Sequence, residues 1–287
     1  MSAADDTRLS AEQFRLADSA EPVRGDALGG RVAQTVNGQN SSAQSRCQNG
    51  SLMSSPESPR FLLTNDDGIV APGLAALEAA LPDGAVSTIV APSAEHSACS
   101  HQVTTARPIR ASRLDRRHIA VDSLPADCVR IGLHELRDRF DWVLAGINHG
   151  ANLGADIYYS GTVAAVREAA LLGVPAIAVS HYRDRVLSAA DWQRATDWVR
   201  ELLPRLLAKP LQKGEYWNVN LPCPLPGSAD PPVVECAVDT NPVHLAYAVD
   251  GEHYSYRGVY SQRPRSPGRD VDVCFGGSIA VSLLRLP

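Results

Sequence analysis

The stretch "LLTNDDGI", residues 62–69, contains the apolar run and polar turn that later parts of the chain repeat. A continuous apolar run ends at Thr64, and two adjacent acids, Asp66 and Asp67, follow before a glycine. The helical pattern "GLAALEAAL" begins shortly afterwards, at 73–81. Because the run is continuously apolar and not alternating, it predicts a strand covered on both faces. A strand, a polar turn and a helix in this order predict an α/β fold.

The same alternation of apolar runs and helical patterns continues to residue 222. It predicts a doubly wound, mostly parallel, Rossmann-like sheet, because each crossover helix returns the chain to a parallel strand. Ligands bind at the carboxyl ends of the strands in this architecture, so the polar residues after each strand are candidate site residues. The further predicted strands are 86–92, 140–146, 174–180 and 216–222, and the further helices are 162–173 and 188–207.

The two ends of the chain have a different composition. Residues 1–58 are rich in small and polar residues, and their isolated apolar side chains cannot offset the entropy of ordering the chain. We therefore predict a disordered N-terminal extension, followed by a folded domain at 59–287. Within that domain, 223–287 is predicted to be a C-terminal oligomerisation arm, in which the strand patterns at 253–260 and 278–286 form a β-hairpin.

Charge and composition exclude several classes of partner. The net charge is -5, from 27 basic and 32 acidic residues, and no lysine or arginine block is present, so duplex nucleic acid is not an expected partner. No apolar run reaches the roughly 18 residues that a membrane span needs, so no membrane association is expected. The six cysteines are scattered without a CxxC pair, which favours reduced thiols in a cytoplasmic protein.

The acids that follow the first strand are ambiguous by themselves. Neighbouring side chains of an extended strand point to opposite faces, so Asp66 and Asp67 can meet one ion only if the chain turns there. Gly68 permits such a turn. The commoner meaning of "NDDG" is a capped turn or helix start with solvated acids, so this motif alone does not establish a metal site.

The loop after the second strand, "APSAEHSACSHQ" at 91–102, offers several polar groups. Ser97 can give a hydroxyl oxygen to a metal or a substrate, and the alternative is an ordinary cap or loop serine. His96 and His101 are five residues apart, which does not match one metal-binding face of a helix. We therefore predict a surface or core role for both histidines.

The most informative stretch is "AGINHGANLGADIYYSGTV", 145–163. A glycine-rich strand exit carrying Asn148 leads into a helix that starts at Ser160, Gly161 and Thr162. Backbone amides and hydroxyls at a positive helix terminus suit a phosphate, whereas the simpler interpretation is a plain N-cap. The spacing matches neither GxxxxGK[ST] nor GxGxxG, so ATP-hydrolysing and dehydrogenase functions lose support. A further loop, "DSLPADCVRIGLHEL" at 122–136, starts a helix and leaves a ligand contact and a capping role equally open.

Five segments together resemble the SurE (survival protein E) family of metal-dependent nucleotidases. They span residues 61–222 in the order of the family, and "TNDDG" with "YSGTVAA" in one chain is a specific combination. The resemblance implies that 59–287 is a SurE-like phosphatase domain, a 5'-nucleotidase that hydrolyses nucleoside 5'- or 3'-monophosphates by direct attack of water. The segments are "LLTNDDGIVAPGLAAL", "VAPSAEHSACSHQVT", "PADCVRIGL", "AGINHGANLGADIYYSGTVAAVREAALLGVPAIAVS" and "NVNLP".

The resemblance also implies one divalent cation per subunit, Mg²⁺ or Mn²⁺, and a homodimer or homotetramer. Hard oxygen ligands are consistent with these ions and less so with Zn²⁺. Carried over by position, the metal ligands are Asp66, Asp67, Ser97 and Asn148, the catalytic residues are Asp66, Asp67 and Asn148, and the phosphate contacts are Asn148, Ser160, Gly161 and Thr162.

The chain departs from the family pattern at two loops. Ser123 and Leu124 replace a Gly-Thr pair, and residues 94–96 read Ala-Glu-His where many members have Arg-Asn-Arg. The resemblance therefore implies that substrate preference differs. His149 is a candidate proton donor to the leaving oxygen, although a loop histidine beside a site is more often incidental.

Two other functions are compatible with a phosphate site on this fold. Phosphatases of the haloacid-dehalogenase type use two acids separated by one residue, whereas Asp66 and Asp67 are adjacent and position 69 is isoleucine. A catalytically silent nucleotide- or phosphate-binding regulatory protein is the second alternative, because a fold does not determine a function.

Overall fold

The computed structural model of the chain describes residues 58–136, 138–243 and 245–287. They belong to one compact unit that runs to Pro287. The predicted disordered extension at 1–58 lies outside the described residues, apart from Ser58, and stays a prediction.

The described residues form a nine-stranded sheet and a separate two-stranded hairpin. Six neighbouring strands of the large sheet are parallel, and the antiparallel pairings lie towards its two edges. The strands are β1 (Arg60–Thr64), β2 (Val86–Pro92), β3 (Ala111–Arg113), β4 (His118–Val121), β5 (Trp142–Asn148), β6 (Ala176–His181), β7 (Glu215–Leu221), β8 (Val233–Glu235), β9 (Tyr247–Asp250), β10 (His253–Tyr256) and β11 (Ile279–Arg285). Their order in the large sheet is β3-β4-β2-β1-β5-β6-β7-β11-β8.

Helices cover both faces of the large sheet, so the predicted doubly wound α/β class is confirmed. In β1, Phe61 and Leu63 pack into one core with the helices α1 (Pro72–Ala79) and α5 (Ala189–Leu207). Leu62 packs into the other core with α2 (Pro125–His134) and α4 (Gly161–Leu171). All three are fully buried, which explains why the run is continuously apolar. The helices are α1 (Pro72–Ala79), α2 (Pro125–His134), α3 (Asp156–Tyr159), α4 (Gly161–Leu171), α5 (Ala189–Leu207) and α6 (Asp270–Phe275).

The order of the parallel strands reverses beside β1. The chain passes from β1 to β2 on one side and later places β5 on the other side of β1. The helices that follow β1 and β5 therefore diverge to opposite faces and leave a crevice at the carboxyl ends of these strands. This crevice is the expected ligand site of the fold.

The C-terminal hairpin exists, but the predicted pairing of its strands is wrong. The strand at 253–256 pairs with 247–250 through a two-residue loop, whereas 279–285 lies in the large sheet beside β7. Gly251 occupies the first position of this loop with a φ of +59°, as two-residue hairpin turns require, and so favours the local hairpin. The last strand instead contributes core residues, because Ile279 and Val281 are buried against the large sheet. Among the helices described here, none is both long and apolar enough to cross a membrane.

Candidate active site

Asn65 shapes the turn after β1. Its buried amide donates from Nδ2 to the Gly68 carbonyl at 2.8 Å, and the Gly68 amide donates back to Oδ1 at 3.2 Å. Gly68 has a φ of +101°, which a side chain would disfavour. The turn that two adjacent acids require is therefore present, and a side-chain amide holds it closed.

Thr162, near the start of α4, binds both carboxylate oxygens of Asp66. The Thr162 amide donates to Oδ2 at 3.1 Å and its hydroxyl donates to Oδ1 at 2.5 Å. Asp66 is only 5% exposed, and this burial raises its pKa to about 6, although the bonds from Thr162 favour the charged form. The helix start thus holds Asp66 in one orientation.

Close packing at the start of α4 explains its small residues. A Cβ on Gly161 would lie 2.7 Å from the Cys99 sulfur and 2.9 Å from Asp66 Cβ, so only glycine fits without a shift. The Ser160 hydroxyl accepts from the Val163 amide at 3.0 Å and caps the helix. Both donors of Thr162 and the Ser160 hydroxyl therefore have partners within the protein. A phosphate contact by Ser160, Gly161 and Thr162 stays a prediction.

The end of β5 presents the next pair of groups. The register against β6 shifts between Ala145 and Asn148, and such a bulge re-aims the side chains that follow it. The His149 amide then donates to Asp67 Oδ2 at 3.0 Å, while Asn148 donates from Nδ2 to the Gly150 carbonyl at 2.8 Å. That bond occupies the amide nitrogen of Asn148 and leaves its Oδ1 available as an acceptor. Burial raises the pKa of Asp67.

The loop after β2 contributes Ser97. Its hydroxyl donates to Glu95 Oε1 at 2.5 Å, which leaves the oxygen lone pairs of the serine available. His101 instead bonds to the buried Glu168 at 2.8 Å, and Arg130 donates to the same carboxylate at 2.6 Å. This contact is in keeping with the predicted surface or core role of His101.

These side chains meet in a cleft of about 320 Å³ at the crevice. Its walls include all four predicted metal ligands together with Ser160 and His149, whereas Gly161 and Thr162 lie behind Asp66. Burial, and secondarily the charge of Arg183, lower the pKa of His149. Residues of α2 do not line the cleft. Asp127 of this helix instead holds the neighbouring loops, since it accepts from the Thr104 amide at 3.0 Å and from the Ser123 hydroxyl at 2.6 Å.

Two charged residues that line the cleft, Asp156 and Arg183, were not among the predicted candidates, and Glu95 was noted as a polar residue of its loop without a predicted role. Arg183 follows the carboxyl end of β6, and the strand-end rule that singled out the other loops also applies there. Within the described part of the chain, Arg183 forms no ion pair or side-chain hydrogen bond. Asp156 begins the short helix α3, just before the helix start at Ser160.

The charge of the cleft decides what it can bind. Among the described residues that line the cleft, Asp66, Asp67, Glu95 and Asp156 are acidic and Arg183 has the one guanidinium, while Arg263, outside the lining, pairs with Asp156. A phosphate dianion entering such a cleft needs further positive charge, which a divalent cation supplies. No group of three or more His, Cys, Asp or Glu side chains with metal-site geometry occurs among the described residues. The four predicted metal ligands are of a different kind, because they comprise two carboxylates, one hydroxyl and one amide. Each of these groups retains an oxygen lone pair for a hard ion.

Comparison with known proteins identifies relatives over most of the chain. The family model described as "Survival protein SurE" matches residues 61–240. A protein of Nostoc sp. is 48% identical over 226 residues, covering 79% of this chain and 99% of its own length. The "5'-nucleotidase SurE" of Citrifermentans bemidjiense is 42% identical over 235 residues, which are 79% of this chain and 93% of that protein.

The fold has a counterpart among solved structures. The crystal structure of the SurE protein from Aquifex aeolicus superposes with a TM-score of 0.70 at 29% sequence identity. The match covers 80% of this chain and 94% of the Aquifex chain.

Proposed function

Because this chain belongs to the SurE family, we propose that it is a 5'-nucleotidase that hydrolyses nucleoside 5'-monophosphates to nucleoside and phosphate. The observation that carries the proposal is the cleft itself. Residues from the ends of β1, β2 and β5 converge there, and they include Asp66, Asp67, Ser97 and Asn148. The relatives named 5'-nucleotidase that cover most of the chain support the same activity. Nucleoside 3'-monophosphates are the second substrate class in this proposal.

One divalent cation, Mg²⁺ or Mn²⁺, completes the proposed site. Asp66, Asp67, Ser97 and Asn148 would hold it through oxygen atoms, as these hard ions prefer. When bound, the ion would neutralise phosphate charge and activate a water for in-line attack. The excess of carboxylates in the cleft supports the requirement for an ion, since an anionic substrate would otherwise be repelled.

The protein's own residues then have separate tasks. Thr162 holds the Asp66 carboxylate in place, and the His149 amide does the same for Asp67. Arg183 is positioned to bind phosphate oxygens, for which a guanidinium offers paired donors in a planar arrangement. The lowered pKa of His149 favours its neutral imidazole at neutral pH, so this side chain is a weaker candidate for a proton donor.

Release of free phosphate tests the proposal. AMP and GMP are incubated with the protein and Mn²⁺, and EDTA is then added. We expect metal-dependent turnover in the wild type, near-complete loss in Asp67→Asn, which removes a charge from the metal set, and a large loss in Asn148→Ala. Circular dichroism should show that both variants fold. Asp83→Asn, which changes an exposed acid before the amino end of β2 and so at the opposite edge of the sheet from the cleft, is the matched control and should retain turnover.

Three outcomes would contradict the proposed function or its mechanism. Full turnover in both site variants would place the chemistry elsewhere. No metal-dependent release from any nucleotide would favour the silent binding protein. Trapping a phosphate on Asp66 or Asp67 would establish the haloacid-dehalogenase type of mechanism, although the two Thr162 bonds and the burial of Asp66 make it a poor nucleophile.

We also propose a compartment, a domain division and a subunit association for the enzyme. The five cysteines in the described part of the chain are all free, which supports a reducing compartment such as the cytoplasm. We assign 59–287 to the catalytic domain and 223–287 to an arm that joins subunits in a homodimer or homotetramer. The exposed hairpin of β9 and β10 is the feature of that arm which supports association.

A further inference from the structure

The loop after β2, which carries Ser97, contains a strained turn. Ala98 and Ser100 both have a φ of +55°, in the left-handed region that residues with a side chain rarely adopt. Among the residues that the structure describes, they are the only ones besides glycine with a positive φ. Such a conformation persists only where surrounding contacts enforce it, and it occurs most often at functional sites. The contacts of this turn therefore indicate what it serves.

Ser100 joins the end of the turn to α3. Its amide donates to the Tyr159 carbonyl at 2.9 Å, and its hydroxyl donates to the Tyr158 carbonyl at 2.7 Å. The last carbonyls of a helix have no partner within that helix, so both bonds use acceptors that the helix itself leaves free. One serine thus attaches the loop to the last two residues of α3.

A second contact holds the loop on the other side of Ser97. The His96 amide donates to the Asp66 carbonyl at 2.7 Å, which joins the loop to the turn after β1. Ser97 lies directly between this contact and the strained turn. Because the backbone is held before and after Ser97, the two contacts together determine where its hydroxyl lies.

Packing closes a further side of the turn. Cys99 lies between the two left-handed residues, and its sulfur is so close to the start of α4 that a Cβ on Gly161 would lie 2.7 Å from it. Ser97 and Ala98 line the cleft, as does Tyr159 of α3. The turn that Ser100 holds is therefore part of the cleft wall, although Ser100 itself is not among the lining residues.

We propose that Ser100 is a positioning residue for the metal site, which holds the strained turn that brings Ser97 to the ion. This inference rests on the proposed function, in which Ser97 is one of the metal ligands. Mg²⁺ requires near-ideal ligand geometry, so displacement of one hydroxyl weakens its site. Replacement of a side chain that orients a metal ligand typically lowers metal affinity by about 10- to 100-fold.

Calorimetric titration with Mn²⁺ tests this role without hydrolysis. Ser100→Ala removes the hydroxyl bond and keeps the amide bond, and we expect Mn²⁺ affinity to fall by about 10- to 100-fold. Ser100→Gly lacks the same hydroxyl but adopts a positive φ readily, so it should lose less affinity. Ser87→Ala is the matched control, because it removes a hydroxyl bond of 2.8 Å to Glu78 near the amino end of β2. It should leave Mn²⁺ affinity unchanged.

A double-mutant cycle distinguishes positioning from a structural role. If Ser100 acts through Ser97, Ser100→Ala should cause little further loss of Mn²⁺ affinity in a Ser97→Ala background. A serine that only stabilised the end of α3 would lower the melting temperature and leave Mn²⁺ affinity unchanged in both backgrounds. If Ser100→Ala does not fold, the same cycle is measured with Ser100→Gly.

The outcomes separate this inference from the proposed function. Mn²⁺ binding that shows the coupling, without release of phosphate from AMP, would overturn the nucleotidase proposal and uphold the role of Ser100. Unchanged Mn²⁺ affinity in both Ser100 variants, or an equal loss with and without the Ser97 hydroxyl, would overturn the role of Ser100. A wild type that binds no Mn²⁺ would overturn the metal site together with that role.

Discussion

At the residue scale, the central feature is a buried carboxylate with two donors from one threonine. A buried charge is costly unless hydrogen bonds compensate for its lost hydration. Thr162 supplies both an amide and a hydroxyl to Asp66, and Gly161 allows the helix to come close enough to do so. The start of α4 therefore supports the acid in addition to any contact it makes with a substrate.

This arrangement gives a prediction for Thr162→Val, which is similar in size and lacks the hydroxyl. Hydrogen bonds to charged groups contribute about 1.5 to 3 kcal/mol, so we expect kcat/KM for AMP to fall by about 10- to 100-fold. Thr162→Ser retains the hydroxyl and should keep most of the activity. Steady-state kinetics with saturating Mn²⁺ measures both variants. Equal activity of the valine and serine variants would show that the hydroxyl does not support Asp66.

Arg183 illustrates what reasoning at the level of single residues misses. The acids and Asn148 were found because their motifs resemble those of a family, whereas Arg183 lies in a stretch that no motif covered. It nevertheless follows a strand end, as the other cleft residues do. If the polar residues after every predicted strand had been taken as candidates, Arg183 would have been among them.

At the scale of elements, the start of α5 holds the loop that carries Arg183 to the cleft. Asp191 accepts from the Ser188 amide at 2.7 Å and from both terminal nitrogens of Arg185. The Arg185 bonds hold the pKa of Asp191 well below its usual range, against the opposing effect of burial. The folded state therefore favours the charged carboxylate.

Replacing this acid should remove a pH-dependent contribution to stability. Because the folded pKa lies below the unfolded value of 3.8, the contribution of the charge is complete above that value and is lost as the pH falls through the folded pKa. We expect Asp191→Asn to lower the free energy of unfolding by about 1 to 2 kcal/mol between pH 5 and pH 7, the usual cost of a lost cap. The difference from wild type should shrink below about pH 4.

Urea denaturation across this pH range measures the effect. Asp197→Asn on the same helix is the control, because its ion pair with Arg200 is about half exposed and should contribute little. A difference between wild type and Asp191→Asn that is constant from pH 7 to pH 3 would show that geometry, and not charge, stabilises the helix start.

Strand and helix boundaries were predictable wherever a pattern was long. β1 and β2 have the bounds that their apolar runs predict, and α5 begins and ends within one residue of its predicted span. The three-residue strands β3 and β8 were missed, because so short a stretch carries no periodicity. The short helix α6 was missed for the same reason.

At the scale of the whole molecule, the hairpin presents one apolar face to solvent. Tyr247 and Val249 of β9 lie opposite Tyr256 and Tyr254 of β10, and alternation along the strands places all four on the same face. Each is more than half exposed. A two-stranded hairpin is only marginally stable alone, so an apolar face of this kind favours contact with another surface.

We therefore predict that a second copy of the chain covers this face. Light scattering after size exclusion should give the mass of a dimer or tetramer for the wild type. The double variant Val249→Thr with Tyr254→Ser keeps β-compatible residues but removes apolar surface, so it should give a smaller mass. His253→Gln, on the opposite face, is the matched control. A monomeric wild type, or a double variant with unchanged mass, would contradict the prediction.

Local sequence patterns were sufficient for the alternation of strands and helices, the doubly wound class and the strand-end position of the acids. These features depend on side-chain periodicity and on turn residues close together in the chain, so local patterns report them. Three features needed the folded chain: β11 joins the large sheet, Thr162 binds Asp66, and Arg183 borders the cleft. Each of these depends on which distant segments become neighbours, and a pairing across many residues leaves no periodic trace in either partner.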